Sequence, residues 1–418
     1  MAIHCVPYFG AETFYTRRIR SLKMPSSVVR GHAHSSANAS KEDIANSQSS
    51  GQEKLIVAGC GGLSVDYLAS VARFPQPDQK IRSVDFKVQG GGNAGNCLTG
   101  AARLGLNARL LSKVAEDAFG KLVINELNGD GVDTSFITVS NFGSTSFTYI
   151  IVDQETNTRT CINSPGYPPL SPQELPDGTL TNILSGAKLL YLDGRLPEVA
   201  LLLAEEARCR SIPMLIDAER KREGLDELLE IATYVVCSAN FPQDWTGLST
   251  LSEALVEIVT RLPNLKFVIT TLGASGCVML EKLSDDLPDL DVLDVNTEYQ
   301  LLQDQSVRMA AKEPTVVASK VGLFRQTGPD GVSVKEFAGR LLLCTAETIP
   351  RSEIVDTTGS GDAFIAAVLF GICTQMSPER MLPFAAVVAG ANCRALGARG
   401  GLPYVHDPKL IPFLSPSM

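Results

Sequence analysis

Histidine is nearly absent from this chain. Of four in 418 residues, only His406 lies outside the first forty. A His-centred triad, a His-rich zinc site or a His general base in the main body has almost nothing to be built from. The ten cysteines stand singly, with no Cys-x-x-Cys pair, which suits buried thiols in a reducing compartment better than a disulfide framework. Basic residues are outnumbered, 37 against 46 acidic ones for a net charge of −9, so no general basic field is available to attract nucleic acid. No apolar run reaches the roughly 18–20 residues of a membrane span, and the longest, Ala363 to Cys373, begins directly after Asp362. A G-x-x-x-x-G-K-[ST] phosphate loop is also missing. Carboxylates, backbone amides, Lys/Arg side chains and hard metal ions remain as chemical resources.

With 44% hydrophobic residues the chain can bury a large core. Residues 1–53 differ from the rest. The first forty carry Arg17, Arg18, Arg20, Lys23 and Arg30 against Glu12 as the sole acid, and a Ser/Ala/Asn-rich stretch follows. That composition is expected of an organellar transit peptide, plastid or mitochondrial, with a plain disordered tail and a cytoplasmic protein as the alternative. From Leu55 onward, buried apolar strands alternate with helical stretches: LIVAG, ARLLSKV then AFGKLVINEL, KLLYLDG then PEVALLLAEEA, IPMLIDA, TYVVCSA, and LSEALVEIVTRL then KFVITTLG. The pattern predicts an α/β domain over 54–410, its mostly parallel sheet covered by helices on both faces. Residues 143–166 read as a hairpin turning near Asp153 to Asn157. With about 78–90 they are expected to form a small accessory sheet. Residues 282–345, acidic and Leu-rich at first, read as an insertion.

Two glycine motifs carry the chemistry. In DTTGSGDAFIAAVLFGI, Gly359, Ser360 and Gly361 precede a strongly apolar helix with Asp362 in its first turn. Converging amides and the helix dipole suit an anion such as a phosphate. Asp362 there could accept a proton from an attacking hydroxyl, although an acid in a first turn often does no more than favour the dipole. GGGNAGN, Gly90 to Asn96, formally contains G-x-G-x-x-G. Its preceding strand is polar-alternating, however, and no acid-ended strand follows about 20 residues later, which argues against a dinucleotide fold. Asn93 and Asn96 at a glycine turn suit a polyhydroxylated ligand. TLGASG, Thr271 to Gly276, is a third glycine turn at a strand end.

Together these motifs resemble the two signatures of the ribokinase/PfkB carbohydrate kinases, GGGNAGNCLTGAARLG at the N-terminal side and DTTGSGDAFIAAVLFGI at the C-terminal side. EDAFGKLVINELNGDGVDT, YLDGR, IDAERKR and TLGASG fall between them in the family's order, and Asp193-Gly194-Arg195 is similar to ketohexokinases and fructokinases. The resemblance implies a doubly wound α/β domain with a β-sheet lid, and ATP-dependent phosphorylation of a fructose- or ketose-like sugar. It implies Asp362 as catalytic base and the Gly359, Ser360 and Gly361 amides as anion hole. Asp66, at the end of the first strand, would hold sugar hydroxyls with Gly92, Asn93 and Asn96. Thr271, Gly273 and Gly276 would lie along the nucleotide with Asn392 near its base. Asp356 and Thr358 fall where the family often binds a monovalent cation such as K⁺, while Mg²⁺ bridges the phosphates.

One stretch departs from the pattern. Asn240-Phe241-Pro242-Gln243 stands where many relatives have Asn-x-x-Glu near the magnesium. Arg195 and Arg222 suit either a phosphate contact or a structural role. Kinases for a nucleoside, inositol or another sugar are alternatives, as is a non-catalytic organellar fructokinase-like protein with a structural or regulatory role. The apolar residues Phe147, Tyr149 and Ile151 predict a lid face that a second copy would cover in a homodimer.

Overall fold

The computed structural model describes residues 55–284, 289–309, 311–327 and 334–414; the expected targeting segment 1–53 lies outside them. β1 (Ile56–Cys60) is apolar almost throughout and buried on both faces, as an interior parallel strand must be. β2 (Ser64–Val71) and β3 (Asp85–Gly91) then leave the main sheet, and α1 (Asn93–Arg103) returns to it. β4 (Asn107–Ala115), α2 (Ala118–Gly129) and β5 (Ile137–Ser140) extend one side. β6 (Phe147–Asp153) and β7 (Thr158–Ser164) form the expected hairpin. The other side is built by α3 (Thr179–Ile183), β8 (Ala187–Leu192), α4 (Pro197–Cys209), β9 (Met214–Ala218), α5 (Leu225–Glu230) and β10 (Tyr234–Cys237). It continues through α6 (Phe241–Thr246), α7 (Leu251–Arg261), β11 (Phe267–Thr271) and β12 (Cys277–Lys282). After α8 (Val295–Arg308) come β13 (Val316–Ala318), β14 (Gly322–Thr327) and β15 (Val334–Cys344). α9 (Ser360–Cys373), α10 (Pro378–Asn392) and α11 (Ile411–Leu414) close the chain.

The main sheet runs β13-β15-β12-β11-β10-β9-β8-β1-β4-β5, with β14 on β15. From β5 to β11 every pairing is parallel, and beyond β11 every pairing is antiparallel. The order is doubly wound. From β1 the chain first moves outward to β4 and β5, then restarts at β8 on the other flank. Successive residues of β8 point to opposite faces, Leu189 and Tyr191 into a core with α1, α9 and α10, and Leu190 and Leu192 into one with α4, α5 and α7. α9 is apolar on all sides because it is buried from Ala363 to Gly371.

Two expectations need correction. Residues 282–345 are not wholly an insertion. β15 lies between β13 and β12, and its Leu341-Leu342-Leu343-Cys344 run is buried in the core. The accessory sheet, in turn, has four strands in the order β3-β2-β6-β7, and its second strand, residues 64–71, carries the Asp66 expected at the end of the first strand. Gly61, Gly62 and Leu63 alone separate the two strands, so a change of sheet left little mark on the sequence.

Candidate active site

The carboxyl ends of β1, β8, β9, β10 and β11 open onto one cleft of about 1360 Å³, roofed by the small sheet. A doubly wound sheet leaves such a crevice where its winding reverses, here between β1 and β8. Its size exceeds that of an ordinary single-ligand pocket. Asp66, Gly92, Asn93, Asn96, Thr271, Gly273, Gly276, Thr358, Gly359, Ser360, Gly361 and Asp362 all line it. Residues some three hundred positions apart thus share one wall.

Asp362 sits in the first turn of α9. Gly359, at φ 73°, adopts the left-handed turn that starts this helix, a conformation costly for any residue with a Cβ. The Asn96 amide Nδ2 donates to Asp362 Oδ2 at 2.8 Å. Loss of hydration raises the Asp362 pKa to about 7, against the Asn96 bond, which lowers it; Glu219 and Asp193 push further up and Arg159 pulls down. The side chain keeps partial access to the cleft even though its neighbours strip away most of its water.

Asp66 lies on the lid strand β2 rather than at the end of β1. It is buried, accepts from Ser64 Oγ at 3.1 Å, and is raised to about 6, chiefly by desolvation. Alternation along the lid strands divides the two faces. Asp66, Thr148, Ile150, Arg159, Cys161 and Asn163 face the cleft. Tyr67, Phe86, Val88, Tyr149 and Ile162 belong to the opposite face, Tyr67 being paired in register with Val88 and Tyr149, and Tyr149 with Ile162. Arg159 Nη1 donates to Thr357 Oγ1 at 2.8 Å, and Arg351 Nη2 donates to the Glu155 carbonyl at 2.8 Å. These two bonds tie the lid hairpin to the segment before α9.

Two expected residues do not reach the cleft. Asn392 is wholly buried, donating from Nδ2 to the Thr358 carbonyl at 2.9 Å, so it supports the loop from behind the cleft wall. Asp356 is buried too, and accepts from Thr358 N at 2.9 Å, Thr358 Oγ1 at 2.7 Å and Gly397 N at 2.9 Å. Asn240 and Gln243 likewise lie outside the lining; Gln243 Nε2 donates to the Ser249 carbonyl at 2.8 Å.

Asp193 and Asp217 were given no role in the sequence reading, whereas Arg195 and Arg222 were named there for a phosphate contact or a structural role. Asp193, fully buried, accepts from Gly62 N at 2.7 Å, Ala94 N at 3.2 Å and Arg195 N at 3.0 Å, and so joins the β1 turn to the start of α1. Desolvation raises its pKa, opposed by Arg195 and by these amides. Asp217 stands beside Asn93 Nδ2 at 3.4 Å and Tyr191 Oη at 3.3 Å, likewise raised by burial and then by Asp362. Arg195 Nη2 donates to Asn93 Oδ1 at 3.3 Å, and Arg222 pairs with Glu219. The sequence signal for Asp193 was its place after an apolar strand, at the same level as the other strand ends. Arg399, behind Asn96, had no signal.

The sequence pattern of the pfkB family carbohydrate kinases matches residues 58–289 and 317–404. The chain belongs to the pfkB family. Like that family it is a sugar kinase, a phosphotransferase with an alcohol group as acceptor. This pfkB kinase is 24% identical over 360 residues to ketohexokinase of Mus musculus, covering 84% of this chain and 99% of the relative. It is 22% identical over 377 residues to ribokinase of Mus musculus, covering 87% and 96%. The structure of Arabidopsis thaliana ribokinase complexed with ribose and ATP shares the fold, with a TM-score of 0.60 and 20% identity over 87% of this chain and all (100%) of that one. The family match skips residues 290–316, the stretch that contains α8.

Proposed function

We propose that this pfkB kinase transfers the γ-phosphoryl group of ATP to a hydroxyl of a small ketose-like sugar, with Asp362 as general base. One observation carries the reading: a carboxylate raised to about 7 sits in the first turn of α9, directly after a glycine turn and on the wall of a roofed cleft. A base working near neutral pH needs such a pKa, because it must be free to take a proton yet basic enough to hold it. The Gly359, Ser360 and Gly361 amides would bind the developing phosphoryl charge at the positive end of the helix. Asp66, Gly92, Asn93 and Asn96 would orient the acceptor's hydroxyls; Thr271, Gly273 and Gly276 would lie along the nucleotide. Closing of the roof over bound substrates would exclude water, which otherwise competes with the sugar for the phosphoryl group.

Magnesium, bound with ATP, supplies charge neutralisation across the phosphates. Among the described residues no group of three His, Cys, Asp or Glu side chains is placed to hold a metal. For K⁺ the donor set is suitable: the Asp356 carboxylate, Thr358 and Asn392 Oδ1, which is buried without a hydrogen-bond partner. The apolar outer face of the lid, with Tyr149 half exposed, supports a homodimer in which a second copy covers it. Composition supports residues 1–53 as a plastid or mitochondrial import segment.

The test is ADP release from ATP and magnesium over a panel of ketoses, aldoses including ribose, nucleosides and inositol. Turnover on a ketose, abolished in Asp362→Asn with ATP still bound, is the expected result. Preference for ribose or a nucleoside would overturn the ketose assignment. Comparable turnover in Asp362→Asn would remove the general-base role.

A further inference from the structure

Arg399 stands in the glycine-rich segment after α10 and touches none of the cleft's open space. Its side chain is almost wholly buried, at 4% exposure. Nε donates to Asn96 Oδ1 at 3.0 Å and Nη2 donates to the Gly91 carbonyl at 3.1 Å. Nη1 lies 3.6 Å from Glu126, whose Oε2 also accepts from Gly90 N at 2.7 Å. The GGGNAGN motif is shaped around this guanidinium. A Cβ at Gly90 would come within 2.6 Å of Arg399 Nη1, and one at Gly95 within 2.5 Å of Nη2. Two of the motif's glycines therefore clear room for an arginine about three hundred residues later.

A guanidinium can only donate. With Nε against one end of the Asn96 carboxamide, that end must be the oxygen, so the NH₂ end is turned towards Asp362, 2.8 Å away. A positive charge on the amide oxygen also polarises the group and strengthens the bond its NH₂ donates. We infer that Arg399 is a positioning residue which, through Asn96, fixes the orientation and the proton affinity of the Asp362 carboxylate. This rests on the reading of Asp362 as the base.

The other groups that face Asp362 are Asp193 after β8, Asp217 and Glu219 at the end of β9, Arg159 of the lid, Cys97 of α1 and Tyr191 of β8. Arg399 itself faces Glu126 of α2, Asp130 just after it, Asp66 of β2 and Arg103 of α1. Of the two arginines, Arg159 is exposed and belongs to the lid, whereas Arg399 is fixed in the body of the domain and linked to the carboxylate by two hydrogen bonds.

The experiment titrates Asp362 in the ligand-free full chain by carbon-13 NMR of labelled Asp carboxyls, its signal identified by its loss in Asp362→Asn. Arg399→Met should move the midpoint up by as much as roughly one pH unit, since Asn96 is then no longer held as a good donor to Asp362. Asn96→Ala should do the same, and the double variant should match Asn96→Ala alone, since both act through one bond. An unmoved midpoint in Arg399→Met, or additive shifts in the double variant, would overturn the inference. If Arg399→Met does not fold, Glu126→Gln replaces it: the Gly90 amide keeps an acceptor while Arg399 loses its counter-charge. The midpoint should then fall by a few tenths of a unit, and an unchanged midpoint would sink the idea. The titration needs no turnover, so it separates the two readings. A wild-type chain that is silent with every sugar removes the proposed acceptor, while the midpoints still decide the relay.

Discussion

The carboxylate of Asp362 binds its proton more tightly in the folded chain than an ordinary aspartate does, and two consequences follow at this scale. The acidic limb of kcat/KM should fall near pH 7, with activity dropping tenfold per unit below it; a limb near pH 4 would contradict the raised value. Stability runs the other way. The contribution of this group is fully present at low pH and is lost as pH rises from the usual carboxylate range through about 7. Asp362→Asn should therefore raise the melting temperature at pH 8, with the gain shrinking towards pH 4, while turnover falls by roughly a thousandfold. Calorimetry at the two pH values checks the first, and a coupled assay the second. Asp362 was legible in the sequence because a small-residue turn, an acid and an apolar helix are adjacent in the chain. Arg399 was not, because its partners at 90, 91, 95 and 96 become neighbours only when the sheet is wound.

Elements were legible in proportion to how uniform their surroundings are. β1, β8, β9, β10 and β11 are buried on both faces and read as apolar runs. β2 has one face on the cleft and one on the lid's outer side, and the short Gly61-Gly62-Leu63 link from β1 concealed it. β15 was lost inside a stretch, 282–345, of which residues 290–316 do lie outside the family pattern. Its own apolar end, LLLC, was the clue. The lid's behaviour rests on two arginine bonds at its tip. Removing one such bond is worth about 1 kcal/mol, enough to raise the open population roughly fivefold. Arg159→Met should accordingly speed hydrogen exchange in β6 and β7 and increase ATP hydrolysis without sugar. Unchanged exchange would show that the lid is held elsewhere. On the outer face, Tyr149→Glu should turn a dimer into a monomer by light scattering if a second copy covers that surface.

For the whole molecule, the acidic balance, the near-absence of histidine and the strand–helix alternation together bounded the class before any motif was read. None of the nine described cysteines forms a disulfide, and five of them are buried. No described helix is long and apolar enough to cross a membrane. A chain starting at residue 54 should retain full turnover, and residues 1–53 fused to a fluorescent protein should direct it to plastids or mitochondria. Fluorescence left in the cytosol would count against the import segment.

β2 continues from β1 after only Gly61, Gly62 and Leu63, and it carries Asp66 on its cleft face. The strand that roofs the cleft is thus the same strand that supplies the carboxylate proposed to grip the acceptor. Swinging it outward withdraws that grip, and tightening the grip draws the roof down. Substitutions within β2 therefore change acceptor affinity and the speed of opening together. A lineage shifting to a new sugar through β2 would inherit a different turnover rhythm with it.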